Sequence, residues 1–273
     1  MKKSNFITLV SFIVLIAAVI LFMIFSKTPS QSAVTDTTAH PTVSDESAAT
    51  THAGTSDGTD FENSSGATGQ SMQTTLPKAS TVSMKDALFI GDSRTVGLSE
   101  YAGIEGANFF ATVGMNVYNI HKKPVSVPNV GKVTLTQLLS NKKYGKIYVM
   151  LGINELGYNL ETTVVKYKEL LDFIREKQPD AAIFVQANLH VTKSRSDKDK
   201  VINNPAVDKL NGRLSEFADG KTVFYLDANK IFDDASGSLS ADKAGDSAHP
   251  YAKYYTQWGK WITSQTAELI GEG

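Results

Sequence analysis

Five short stretches of the chain, at 87–90, 109–113, 147–151, 182–185 and 223–226, are apolar on consecutive positions and rich in β-branched and aromatic residues. A strand with one wet face alternates apolar and polar residues, whereas a strand covered on both faces does not. The five runs therefore predict strands of a parallel sheet. Amphipathic patterns lie between them. Val164, Tyr167, Leu171 and Ile174 recur at helical spacing and Pro179 follows. Val207, Leu210, Leu214 and Phe217 repeat that spacing, with Gly220 as a stop signal. Tyr251, Tyr255, Trp258 and Ile262 predict one face of a last helix. Strands alternating with helices imply an α/β fold: an open sheet with helices on both sides. In such sheets the working crevice lies outside the carboxyl ends of the strands.

The amino terminus follows another pattern. Residues 6–25 read FITLVSFIVLIAAVILFMIF, without a charge, long enough to cross a hydrocarbon layer of ~30 Å as a helix. Lys2 and Lys3 precede it and only Lys27 follows closely. That bias predicts a transmembrane signal anchor over residues 1–27, with the amino terminus in the cytoplasm and the rest extracellular. A cleaved signal peptide is the alternative, with a shorter apolar core and a small-x-small site; the nearest such site, at Ser32-Ala33, is weak. Cleavage would make the protein secreted. Residues 28–82 are rich in Ser, Thr, Ala and Gly, with Phe61 the only aromatic residue. They predict a disordered linker, because so little apolar surface cannot offset chain entropy. Residues 83–273 remain as one domain. With no cysteine in the chain, an exported fold must rely on its core.

Net charge is −1 and no basic stripe with interleaved aromatics appears, which argues against a nucleic-acid partner. Of the five histidines, none shows H-E-x-x-H spacing, so no metal and no cofactor are expected. His40, His52 and His121 read as solvated.

Chemistry gathers where the predicted strands end. The first ends in Gly91-Asp92-Ser93, the second in Gly114, the third in Gly152-Ile153-Asn154. Asp246 and His249 precede the last helix. Taken singly, each has an ordinary reading: Ser93 a helix cap, Gly114 and Asn154 turn residues, Asp246 and His249 loop residues. Taken together they suit acyl transfer. A serine hydroxyl needs a base to remove its proton, and His249 is the candidate. Asp246, three residues earlier, can accept from the other ring nitrogen and hold the tautomer. The backbone N–H of Ser93, that of Gly114 and the side-chain N–H of Asn154 are candidate oxyanion donors.

This set of blocks resembles the SGNH, or GDSL, hydrolase superfamily across the folded region. The resemblance implies a three-layer α/β/α, flavodoxin-like fold and ester hydrolysis without a metal. It implies Ser93 as nucleophile, His249 as base, Asp246 as its orienter, and Gly114 and Asn154 as oxyanion donors beside the Ser93 amide. The chain departs from the pattern at Arg94, where Leu is usual, at Glu155, where Asp often stands, and at His190, where Pro is common. Arg94 and Glu155 are expected either to contact substrate or to pair with each other; His190 either lines the pocket or is structural.

The expected function is a membrane-anchored extracellular serine esterase removing short acyl groups, such as acetyl, from envelope or extracellular glycans. A lipid esterase or lysophospholipase and an O-acetyltransferase are enzyme alternatives. A non-catalytic glycan-binding module is the alternative of another class. Substrate partners are thus an acylated glycan or other small ester, with the membrane engaged through residues 6–25. The sequence names no protein partner.

Overall fold

The computed structural model describes residues 82–271. The expected anchor at 6–25 and all of the expected linker except Val82 lie outside the described residues. Among the described residues no helix is long and apolar enough to cross a membrane.

The strands are β1 (Ala87–Gly91), β2 (Asn108–Ala111), a hairpin of β3 (Val125–Val127) and β4 (Gly131–Val133), then β5 (Lys146–Met150), β6 (Ala182–Gln186) and β7 (Val223–Leu226). The helices are α1 (Ser93–Tyr101), α2 (Leu135–Asn141), α3 (Leu160–Lys177), α4 (Lys193–Ser196), α5 (Asn204–Ser215), α6 (Asn229–Phe232) and α7 (Ala252–Ile270). One sheet runs β2-β1-β5-β6-β7, every neighbouring pair parallel. The chain steps from β1 to β2 on one side, then crosses to β5 on the other. β1 is therefore the point where strand order reverses, and a crevice opens at its carboxyl end.

Alternate residues of each strand face opposite layers. Leu88, Ile90, Ile147, Val149, Ile183 and Val185 pack with residues of α2, α3 and α5. Phe89, Tyr148, Phe184 and Phe224 face the other way, toward Leu98 of α1 and Tyr255, Trp258 and Ile262 of α7. Helices thus cover both faces of the sheet. On the second face, register puts an aromatic ring on every strand at one level: Phe109, Phe89, Tyr148, Phe184 and Phe224 are successive Cα partners. Their rings stack with centroids 4.9, 4.3, 4.7 and 5.3 Å apart. Parallel strands lie ~4.8 Å apart, so in-register rings meet at stacking distance.

The structure departs from the sequence expectation in four places. Tyr251 is half exposed and is the N-cap of α7, outside its buried face. The second amphipathic helix closes at Ser215, so Phe217 packs on the core from the following turn. Residues 125–133, for which the sequence predicted no element, form the hairpin, whose three-residue strands are too short for a period to register. Helix α2 was also unread. Its signal was present: Thr134 and Gln137 form a capping box.

Candidate active site

Asp92, not Ser93, caps α1. Its Oδ1 accepts from the Arg94 N–H at 2.9 Å. Ser93 is consequently the first helical residue, with its hydroxyl free for another partner and its N–H among the open donors of the helix start. Gly91 makes the turn possible. A Cβ there would lie 2.0 Å from Thr95 Oγ1 and 2.7 Å from the Met150 carbonyl oxygen.

Ser93 Oγ lies 2.9 Å from His249 Nε2. His249 Nδ1 lies 2.9 Å from Asp246 Oδ2. Asp246 Oδ1 accepts from the backbone N–H of Ala248 at 2.6 Å and of His249 at 2.7 Å. The carboxylate therefore folds its own loop while holding the ring. Burial acts to raise its pKa, but those two N–H groups and the imidazole outweigh it and hold the carboxyl below its ordinary value. The Gly245 N–H donates to the His249 carbonyl at 2.7 Å, closing the loop before Pro250.

The oxyanion candidates follow β2 and β5. Gly114 has φ +72, a conformation costly for a residue with a side chain. Among the described residues, neither the Gly114 N–H nor the Ser93 N–H donates to another protein group. The Gly114 carbonyl accepts from the side chains of Asn116 and Asn119, both at 3.3 Å, which limits rotation of the turn. Asn154, exposed on the short 3-10 turn Ile153–Glu155, donates one Nδ2 hydrogen to the Met115 carbonyl at 3.0 Å. That bond ties the Asn154 turn to the Gly114 turn and leaves the second hydrogen available.

The structure turns Arg94 and Glu155 inward, away from substrate and not onto each other, and gives His190 the structural of its two expected roles. Arg94 is 1% exposed, and its Nε and Nη2 both donate to the Ala248 carbonyl, at 3.1 and 3.0 Å. Burial lowers its pKa, against the attraction of Asp92. Glu155 is 2% exposed, and its Oε1 accepts from the Val117 N–H at 2.8 Å. Burial, aided by the nearby Asp92 charge and opposed by backbone hydrogen bonds, lifts its pKa to about 7. Neither side chain reaches solvent, and no ion pair joins the two. His190 is clamped between Asp233, 2.7 Å from Nδ1, and Asp208, 2.8 Å from Nε2. Burial acts to lower its pKa, but the two carboxylates together raise it. Both ring nitrogens are thus engaged, which makes it a tie between α5 and α6.

Asn188, at the end of β6, was not singled out from the sequence. It is fully buried, accepts from the Ile153 N–H at 3.0 Å and donates to the Leu151 carbonyl at 3.0 Å. It shapes the turn that carries Asn154. The signal was an amide among apolar residues at a strand's carboxyl end. Among the described residues, no group of three or more His, Asp or Glu side chains is arranged to hold a metal ion.

The family model described as GDSL-like lipase/acylhydrolase matches residues 89–257, a span holding all five candidate residues. No curated protein matches the chain. Among solved structures, the chain is similar to a GDSL-like lipase from Bacteroides thetaiotaomicron, with TM-score 0.51 and 13% identity over 70% of this chain and 92% of that one. It is also similar to an active-site mutant of a family two carbohydrate esterase from Clostridium thermocellum, with TM-score 0.49 and 15% identity over 68% and 64%. Since the family match spans more than half its length, the chain belongs to the GDSL-like lipase/acylhydrolase family and is a serine ester hydrolase.

Proposed function

We propose that Ser93, His249 and Asp246 are the hydrolytic centre of an esterase that removes short acyl groups from a glycan. The observation that carries this reading is the unbroken chain of polar contacts from Ser93 Oγ through both ring nitrogens of His249 to Asp246. Ser93 Oγ bonds to the ester carbonyl carbon as its proton passes to Nε2. The oxyanion is met by the N–H groups of Ser93 and Gly114 and the amide of Asn154. The proton on Nε2 goes to the departing alcohol. Water then gives a proton to the same nitrogen and attacks the acyl-serine, and the returning proton restores the hydroxyl. The Asp246 and His249 side chains are 61% and 38% exposed. An ester carried on a polymer reaches such an open rim without entering a tunnel. In this reading residues 6–25 anchor the protein, with the catalytic domain outside the membrane.

The test uses the full chain. Turnover of p-nitrophenyl acetate well above the octanoate ester, release of acetate from acetylated oligosaccharides, and fluorophosphonate labelling lost in Ser93→Ala are expected. Absence of both labelling and turnover in a folded wild-type protein overturns the reading. For the anchor, the full chain should sediment with membranes and be cut by protease added from outside; a chain confined to the cytosol overturns it.

A further inference from the structure

Beside the Asp246–His249 loop lies an open groove of about 540 Å³. Its lining is polar and basic: Thr192, Ser194, Arg195, Lys198 and Lys200, with Ser247 from the loop itself. The only acidic lining residue is Asp199, which accepts from the N–H groups of Val201 and Ile202 and lies 3.4 Å from Arg195. Three cations against one carboxylate leave a local excess of two positive charges, in a chain whose net charge is −1. Lys198 makes only a long contact with the Ser194 hydroxyl at 3.4 Å. Among the described residues, neither Lys198 nor Lys200 has a carboxylate partner. Lys193, by contrast, is neutralised by Asp197 at 2.9 Å.

A run such as TKSRSDKDK is ordinarily a solvated face. Here it is folded against the catalytic loop. The Thr192 N–H donates to the Ser247 carbonyl at 3.0 Å, and Arg195 Nη1 to Ser247 Oγ at 3.3 Å. Ser196 Oγ accepts from the Asn204 N–H at 2.9 Å, pinning the other side of the segment to α5. The backbone that carries the cations is thus held at a fixed place, alongside a residue that sits between Asp246 and His249, while the Lys198 and Lys200 side chains extend from it into solvent.

We propose that this groove is a subsite for an anionic unit of the polymeric substrate, so that the ester cleaved at Ser93 is borne by an acidic rather than a neutral polymer. The inference deepens the esterase reading and rests on it for the polymer's role as substrate. Affinity is measured apart from turnover, so the two can fail separately.

The experiment measures binding of full-length protein at low ionic strength to polygalacturonate, whose charge is carboxylate, and to polyglycerol phosphate, whose charge is phosphodiester. Neutral xylan and phosphatidylglycerol vesicles complete the panel. Binding to one or both anionic polymers is expected, falling with salt as screened contacts do. The double variant Lys198→Glu/Lys200→Glu should weaken it by about tenfold or more. Lys221→Glu, at the opposite end of the sheet, should leave it unchanged. Equal affinity for xylan, equal affinity of the double variant, or an equal loss with Lys221→Glu overturns the subsite. Binding to vesicles in place of either polymer, lost in the double variant and so not due to residues 6–25, overturns it in favour of a lipid headgroup. Loss of p-nitrophenyl acetate hydrolysis in Ser93→Ala tests the esterase reading alone.

Discussion

Arg94 and Ala248 join the two ends of the candidate site. Arg94 follows Ser93 directly and Ala248 precedes His249, and one guanidinium gives two hydrogen bonds, at 3.1 and 3.0 Å, to one carbonyl oxygen. The nucleophile and the base come from opposite ends of the domain, and this clasp sets the distance between them. Its charge lies beside Asp92, the buried cap of the same helix.

Arg94→Lys keeps the charge and loses the fork. We expect a loss of stability of about 2 kcal/mol, seen as a lower denaturation midpoint. A fall in kcat exceeding the rise in KM should accompany it. Unchanged kcat in a folded variant would refute the positioning role.

Replacing Ser93 or His249 by Ala should each lower kcat/KM for p-nitrophenyl acetate by at least ~10³-fold. The double variant should be little worse than either single one, since the two act as a unit. Additive losses would break the assignment.

Asp246→Asn preserves an oxygen for the Ala248 and His249 N–H groups, so the loop should survive. It turns an amide toward His249 Nδ1 and favours the wrong tautomer. A kcat loss of roughly 10²–10⁴-fold is expected, with little change in the melting temperature. Wild-type kcat would remove Asp246 from the mechanism.

Asn154→Ala removes one oxyanion donor and the bond to Met115. The expected loss is ~10²–10³-fold in kcat, with fluorophosphonate labelling slowed rather than abolished. Labelling at the wild-type rate would remove it from the oxyanion site.

Glu155 gives a pH signature. Its pKa rises from 4.5 unfolded to about 7 folded, so between those values the folded state holds a proton that the unfolded state has released. Stability therefore falls as pH rises from 4.5 to 7, by about 3 kcal/mol at ~1.4 kcal/mol per tenfold. Glu155→Gln keeps an acceptor for the Val117 N–H and should flatten that slope in urea melts. An unchanged slope would show that Glu155 ionises normally.

Much of the fold was legible because it is local. Consecutive apolar positions in the runs that became β1, β5, β6 and β7 record burial on both faces, and the spacing of Val164, Tyr167, Leu171 and Ile174 records one helical face. Strands of three residues leave no such record, and the hairpin was missed for that reason. The residue types of the site were also legible, since Gly91-Asp92-Ser93 and Asp246-x-x-His249 carry their partners nearby in the chain.

What the sequence alone determined is therefore the longer strands and helices, their order, and which side chains have the chemistry for acyl transfer. Only the tertiary structure decided which of those side chains meet. It sent Arg94 and Glu155 inward, tied His190 between two carboxylates, and folded a run of surface charges against the catalytic loop. Periodicity reports whether a position is covered, because burial follows hydrophobicity. It does not report by what, because partners such as Arg94 and Ala248 are separated along the chain and meet only once the sheet has been assembled.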